Sequence, residues 1–180
     1  MNVNGEGTNT QAMQQHAMTK QAVYKGGLKH ETVNLLLSDL LDLTQSCILN
    51  AKQGNLIAGN IKSDADAQLI IKLVFKEKVS LSELIFVSAG QSRPSKIKIF
   101  SNKPTCDFCD IGDVEPGAEA VLKNAADPQS VTLAGKNFAR ISSVQIFIEE
   151  NHDESDQSIL DSLRVMGSAA PNYHVEYKSK

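Results

Sequence analysis

From Gln45 onward the apolar positions fall in short runs that predict strands. The run QLIIKLVF at 68–75 is apolar and β-branched, which suits a pleated, largely buried strand. The charged stretch KEKVS at 76–80 reads as a turn, and LSELIFV at 81–87 as the strand that follows it. KIKIF at 96–100 alternates strictly. Side chains on a strand point to opposite faces in turn, so Lys96 and Lys98 should meet solvent while Ile97 and Ile99 meet the core, with Phe100 marking the end of the pattern. Residues 107–111, 118–122 and 129–133 are weaker strand candidates, and VQIFI at 144–148 is a strong one. ILDSLRVM at 159–166 fits a strand or a helix by period alone, and its strand-rich surroundings favour a strand.

Ahead of Gln45 the pattern differs. In VNLLLSDLLDLT at 33–44, Leu35, Leu36, Leu40, Leu41 and Leu43 recur at mixed three- and four-residue steps. One short helix or helical turn packed on the domain is the expectation. Residues 1–32 hold Asn, Gln, Gly, Thr and Met without a sustained period, which predicts a disordered tail. The domain is then expected at 33–170, with a short C-terminal tail at 171–180. Many short strands separated by Gly, Pro, Asn and Asp predict an all-β fold, a sandwich or barrel. The βαβ rhythm of Rossmann and thioredoxin folds is missing. The acidic stretch EENHDESD at 149–156 reads as a solvated loop.

Composition narrows the function. A chain of 180 residues with 41% hydrophobic and 22% charged residues suits one folded core with flexible ends. The net charge of -3 lacks the Lys/Arg surplus that phosphate contacts demand, which argues against nucleic acid. No apolar run reaches the roughly 18–20 residues that cross a bilayer, and MNVNGEGTNT carries no secretory signal. Three cysteines, an odd number, read as thiols in a reducing compartment. Cytoplasm is the expected location, with the nucleus as a second compartment. Nucleophile-elbow, zincin and glycine-rich phosphate motifs are absent, so no enzyme, cofactor or metal is expected.

Three features could carry chemistry, and a fourth is structural. Cys106-Asp107-Phe108-Cys109 has the C-x-x-C spacing of redox and zinc sites. No second C-x-x-C accompanies it, and Asp107 and Asp110 would raise a thiol pKa, so incidental thiols on a strand or loop are the simpler reading. Asp64 and Asp66 could bind calcium or act as an acid–base pair. The simpler reading is a turn in which Asp bonds its own backbone two residues on. Lys72, Lys76, Lys78, Arg93, Lys96 and Lys98 could form a basic patch, although no interleaved aromatics provide a stacking platform. Pro94 and Pro104 delimit the KIKIF strand, and Asn102 should close the turn after it through its side chain.

Two segments resemble a known family. Ser63-Asp64-Ala65-Asp66-Ala67-Gln68-Leu69 looks like the S-D-x-D-x-Q/E-L lead-in to a hydrophobic strand of the PITH domain. The second segment runs Pro94-Ser95-Lys96-Ile97-Lys98-Ile99-Phe100-Ser101-Asn102-Lys103-Pro104. It looks like that family's P-x-x-apolar-K/R-apolar-aromatic-x-N-x-P pattern. Softer agreement comes from 144–148 and from Gly167 at the end of the last strand. The resemblance spans roughly residues 40–168. It implies a jelly-roll β-sandwich similar to galactose-binding-like domains, and association with the proteasome regulatory particle. The segment ahead of the match is too short for the thioredoxin domain of the best-known relatives, so the stand-alone form is expected.

The leading expectation is thus a monomeric, non-catalytic protein-interaction module that binds the proteasome regulatory particle through loops at one end of the sandwich. Ser63, Asp64 and Asp66 are its candidate binding residues, with neither nucleic acid nor membrane as partner. One alternative is a small-ligand or carbohydrate-binding module, which a pocket lined by aromatics and amides would favour. The other is a thiol redox protein using Cys106 and Cys109, which two close, exposed sulfurs would favour.

Overall fold

A computed structural model of the chain describes residues 35–170. The tails expected at 1–32 and 171–180 lie outside the described residues. The described chain is a β-sandwich with strands β1 (Leu35–Leu36), β2 (Cys47–Leu49), β3 (Ala51–Asn55), β4 (Gly59–Ser63), β5 (Leu69–Val87), β6 (Pro94–Ser101), β7 (Ala118–Val121), β8 (Gln129–Thr132), β9 (Ile141–Asn151), β10 (Ile159–Leu160) and β11 (Ser162–Ala169).

In the larger sheet, β5 changes neighbours along its length. The first part of β5, 69–74, pairs antiparallel with β9 and, on its other side, with β2. Its last part, 79–87, pairs with β11 on one side and β8 on the other. Next to β9 follow β6 and then β7, while β1 edges β11. A smaller sheet, β10-β4-β3, completes the sandwich.

The turn expected at 76–80 is corrected, because β5 runs through it as one strand of 19 residues. Lys76, Glu77 and Lys78 are all exposed. They sit where the β9 register jumps from Val74↔Ser143 to Val79↔Ile141 and β5 changes neighbours. Three exposed charges in a row mimic a turn, but the stretch holds no Gly, Pro, Asn or Asp that would reverse the chain. A second irregularity lies opposite Gly167. Glu83 pairs with Met166 and Leu81 with Gly167, leaving Ser82 as the extra residue of a bulge. The buried side chains of β5 accordingly change parity, from Val79 and Leu81 to Leu84 and Phe86. A Cβ on Gly167 would lie 2.2 Å from Ser80 O, so the bulge requires glycine there.

The main core lies between the layers. It takes Leu69, Ile71 and Leu73 from β5, Ile97 and Ile99 from β6, and Val144, Ile146 and Ile148 from β9, each at most 2% exposed. These are the alternate residues of each strand, as the sequence pattern requires. The residues 118–122 and 129–133 contain β7 and β8, and 159–166 is divided between β10 and β11. Residues 107–111 form turns, which corrects the strand expected there. In 33–44, helix is confined to one 3-10 turn, Ser38–Leu40. Leu36 pairs with Met166 in β11 and Leu41 bridges to Phe75, so sheet pairing claims most of the leucines.

Candidate functional site

Residues 63–68 join β4 to β5, and their conformation is set by two polar centres. The first is Asn50, in the left-handed region at φ 63°. Its Nδ2 donates to Asp66 Oδ1 at 2.9 Å and to Gln68 O at 2.7 Å, and its Oδ1 accepts the Ala65 N–H at 3.1 Å. Asp66 Oδ1 also accepts the Gln68 N–H at 2.9 Å, the local turn that an Asp two residues upstream provides. The second centre is Ser63, which is fully buried. Its hydroxyl accepts the Ser158 N–H at 2.9 Å, and the Ser158 hydroxyl donates to Ala67 O at 2.5 Å. Of the three candidate binding residues, Asp64 and Asp66 are therefore exposed, whereas Ser63 faces inward and holds the loop.

Those Ser158 bonds bring the second acidic segment beside the first. Its beginning is corrected by the structure: residues 149–151 belong to β9, and only the residues after Asn151 form the loop. Asn151 is 7% exposed, and its Nδ2 donates to Ser155 O and Gln157 O, each at 2.9 Å. Asp153 accepts from the hydroxyls of Ser92 and Ser155, each at 2.9 Å. Burial pushes the Asp153 carboxyl up, but those hydroxyls outweigh it and hold the group below the ordinary aspartate value. The loop 88–93 joins the same network. Ser88 Oγ donates to Ile159 O at 2.6 Å, and Arg93 donates to Ser88 O, Ala89 O and Asn124 Oδ1.

The result is a polar loop cluster with five exposed acidic residues, Asp64, Asp66, Asp153, Glu154 and Asp156. Asp66 and Asp153 use oxygens to brace the loops. The carboxylates of Asp64, Glu154 and Asp156 form no bond among the described residues and are open to a partner. The sequence places the two acidic segments about ninety residues apart, and the bonds of Ser158 to Ser63 and Ala67, with the β10–β4 pairing, join them.

Five of the six cationic residues singled out above are held by acceptors, and Lys78 is exposed without one among the described residues, so they do not form a free patch. Lys96 Nζ lies 2.9 Å from Glu149 Oε2, and Lys98 Nζ lies 3.1 Å from Glu149 Oε1. Burial pushes the Glu149 carboxyl up, but hydrogen bonds from the two ammonium groups, and their charges, outweigh it and hold it below the ordinary value. Lys72 donates to Pro104 O at 3.3 Å and Lys76 to Asp39 O at 3.0 Å. Arg93 is held by carbonyls, as described above.

Cys106 and Cys109 lie on the segment between β6 and β7. This segment covers a second apolar cluster, on the outer face of the β5–β9–β6 layer. Cys106 is 5% exposed and packs with Ile70, Phe100, Ile111 and Phe147. Phe100 thus points away from Ile97 and Ile99, sharing a face with the lysines yet buried by this cover. Phe108 stands edge-on to Phe147, with centroids 6.2 Å apart. The cover is tied down by Gln145 Nε2, which donates to Cys106 O at 3.0 Å, and by Lys72. Gln145 Oε1 is buried without a hydrogen-bond partner among the described residues, a situation that typically costs about 1–3 kcal/mol. Burial pushes the Cys106 thiol up, and Asp110 adds to the effect. Cys106 is therefore a core side chain, and Cys109 an exposed thiol. No cluster of three or more metal-ligating side chains occurs among the described residues.

Asn102 adopts φ 54°, and its Oδ1 accepts the Ser142 N–H at 2.9 Å, the side-chain closure expected after the KIKIF strand. Two small cavities accompany these features. One of about 40 Å³ lies between Leu41, Leu56, Ile57, Leu73 and Leu163, and one of about 10 Å³ lies beside Phe86, Arg93 and Leu122. Small-molecule sites usually run to roughly 300–1,000 Å³.

Comparison with solved structures shows the same fold. The CBM32-3 module of a family 31 glycoside hydrolase from Clostridium perfringens matches with a TM-score of 0.51 at 10% identity, over 73% of this chain and 97% of that one. A structure from Clostridium perfringens ZmpB, comprising CBM32-1, CBM32-2 and M60 catalytic domains, matches with a TM-score of 0.55 at 7% identity. That match covers 73% of this chain and 14% of the other. These likenesses establish a sandwich of the galactose-binding-like type, and identities this low carry fold alone. The family described as the PITH domain matches residues 30–179, most of the chain and both segments singled out above, and the chain belongs to that family.

Proposed function

We propose that this protein is a non-catalytic adaptor that binds the proteasome regulatory particle through the loop cluster at 63–68 and 152–158. It acts as a monomer in the cytoplasm and nucleus. The observation that carries this reading is the convergence of five exposed acidic residues on loops braced by buried serine and asparagine side chains. Loops held by a rigid sheet commonly carry binding. Such a surface suits a partner face rich in Lys and Arg, where charge complementarity steers encounter and fixes orientation. Family membership favours an interaction module, and the PITH resemblance points to the regulatory particle as the partner. The small cavities and the absence of Trp speak against the carbohydrate-binding alternative, because sugar faces stack on aromatic rings. The burial of Cys106 speaks against a redox enzyme.

The test is a pull-down of purified regulatory particle with the full chain at low and high salt. Wild type should co-purify. Asp64→Asn with Asp66→Asn should weaken capture at low salt, and adding Glu154→Gln and Asp156→Asn should weaken it further. No capture by folded wild type would reject the partner. Capture indifferent to all four substitutions would keep the partner and remove the acidic loops from the interface.

A further inference from the structure

The segment carrying Cys106 and Cys109 plays no part in the proposed interface, yet its arrangement is unusual for a connecting loop. It is the cover of the outer cluster. One of its cysteines is the apolar plug among Ile70, Phe100, Ile111 and Phe147, and the other, three residues on, faces solvent. The intervening residues form a tight turn, in which Asp107 O accepts the N–H groups of Asp110 at 3.2 Å and Ile111 at 3.0 Å. Asp107 Oδ1 also accepts the Cys109 N–H at 2.9 Å. The two thiols are thus kept on one compact segment, and a disulfide needs Cα atoms only about 4.4–6.8 Å apart. Beneath the plug lies Gln145, with one amide oxygen unpartnered, so the closed cover leaves a buried acceptor unsatisfied. A plug that can bond covalently to its exposed neighbour, seated over an unsatisfied polar group, is a cover that oxidation can release.

We propose that Cys106 and Cys109 are a reversible oxidation site whose disulfide traps the 103–114 cover in an open state, away from the outer face of the β5–β9–β6 layer. The oxidant is a small disulfide of the glutathione type. The Cys109 thiolate attacks one of its sulfurs, forming a mixed disulfide and expelling one thiolate. When the cover opens, Cys106 loses its proton to solvent and its sulfur attacks Cys109 Sγ, expelling the second thiolate. Two protein thiols lose two electrons and two protons, and one small disulfide becomes two thiols. Because Cys106 must leave its seat before it can attack, the second step is slow and follows cover opening. This is a sensor's behaviour and not a turnover enzyme's. Release uncovers Ile70, Phe100 and Phe147, an apolar patch on an otherwise charged face.

The experiment uses the full chain carrying Cys47→Ser, so that the other exposed thiol cannot compete. It is incubated with glutathione disulfide and followed by intact mass, peptide mapping and hydrogen exchange. The expected course is a Cys109–glutathione adduct that converts to a Cys106–Cys109 disulfide. Exchange at 103–114 should then rise at least several-fold, while β5, β6 and β9 stay protected and added dithiol reverses the change. Cys106→Val, which keeps an apolar plug, should stop at the adduct with the cover protected. Cys109→Ser should leave Cys106 unmodified in the folded chain and reactive in denaturant. An adduct on Cys109 that never converts would overturn the proposal. So would a disulfide that forms with exchange at 103–114 unchanged, or one accompanied by global loss of protection.

Discussion

In residues 63–69 the chain is held by polar bonds, and in residues 94–104 by apolar burial, although both segments carry the family resemblance. The first has one fully buried serine and a loop whose geometry depends on Asn50, Asp66 and Ser158. The second has Ile97 and Ile99 at 0% and Phe100 at 1% exposure, one face of the strand in the main core and Phe100 in the outer cluster. The difference teaches how each segment should respond to substitution. An apolar strand fails when a charge is buried, because nothing nearby can solvate it. A polar loop fails when a donor, an acceptor or a special backbone angle is lost, and it tolerates a change of charge that keeps the hydrogen bonds.

The largest expected effect is Ile99→Asp, which should leave no cooperative unfolding transition. A carboxylate unpaired in the core costs several kcal/mol, comparable with the roughly 5–15 kcal/mol stability of a small domain. Lys98→Asp on the opposite face should stay folded. It still places a carboxylate beside Glu149 and opposite Glu119, so a loss of about 1 kcal/mol in urea melts is expected. Equal stability of the two variants would contradict the register of β6.

Next in size is Asn50. Asn50→Ala should cost about 2 kcal/mol, since it loses the bonds to Asp66, Gln68 and Ala65 and puts a Cβ residue without polar compensation at φ 63°. Asn50→Gly keeps the backbone angle and should recover part of that loss, and denaturant midpoints would read the ordering. If alanine and glycine were equivalent, backbone conformation would drop out of the account. Asp66→Asn retains an acceptor oxygen for Gln68, and its melting temperature should stay near wild type.

The smallest expected effect is electrostatic. The folded-state pKa of Glu149 lies below its unfolded value, so its contribution is present above that unfolded value, near 4.5, and is lost as pH falls through the folded-state value. Glu149→Gln should therefore cost less than about 1 kcal/mol at neutral pH and nothing at strongly acidic pH, flattening the acid side of the stability profile. A variant profile parallel to wild type below pH 4.5 would remove the Lys96–Glu149–Lys98 cluster from the stability account.

The period of two was legible in the sequence because it is local. Alternation in 96–100 placed Ile97 and Ile99 in the core, and the runs at 68–75, 81–87 and 144–148 lie in strands apart from Gln68. The punctuation was less legible. Lys76, Glu77 and Lys78 look like a turn and instead mark a change of neighbours inside β5, because strand pairing decides whether an exposed stretch reverses. The alternation likewise assigned Phe100 to the end of the strand, and only the cover supplied by 103–114 made its outward side a buried one. At the candidate site, Asp66 was readable as a turn former from its own residues. The inward role of Ser63 was not, since its partner Ser158 is 95 residues away in sequence.

The sequence by itself therefore determined the strongly patterned strands, their core faces and the fold family, which depend on neighbours two residues away and on motifs with fixed spacing. Tertiary structure alone decided that β5 changes neighbours along its length, that Cys106 is a plug, and that the acidic segments around Asp64 and Asp156 share one cluster of loops. Each of those outcomes rests on a hydrogen-bond register or a packing contact between residues distant in the chain. The free energy of such a contact depends on where both partners end up, and no local pattern encodes that position.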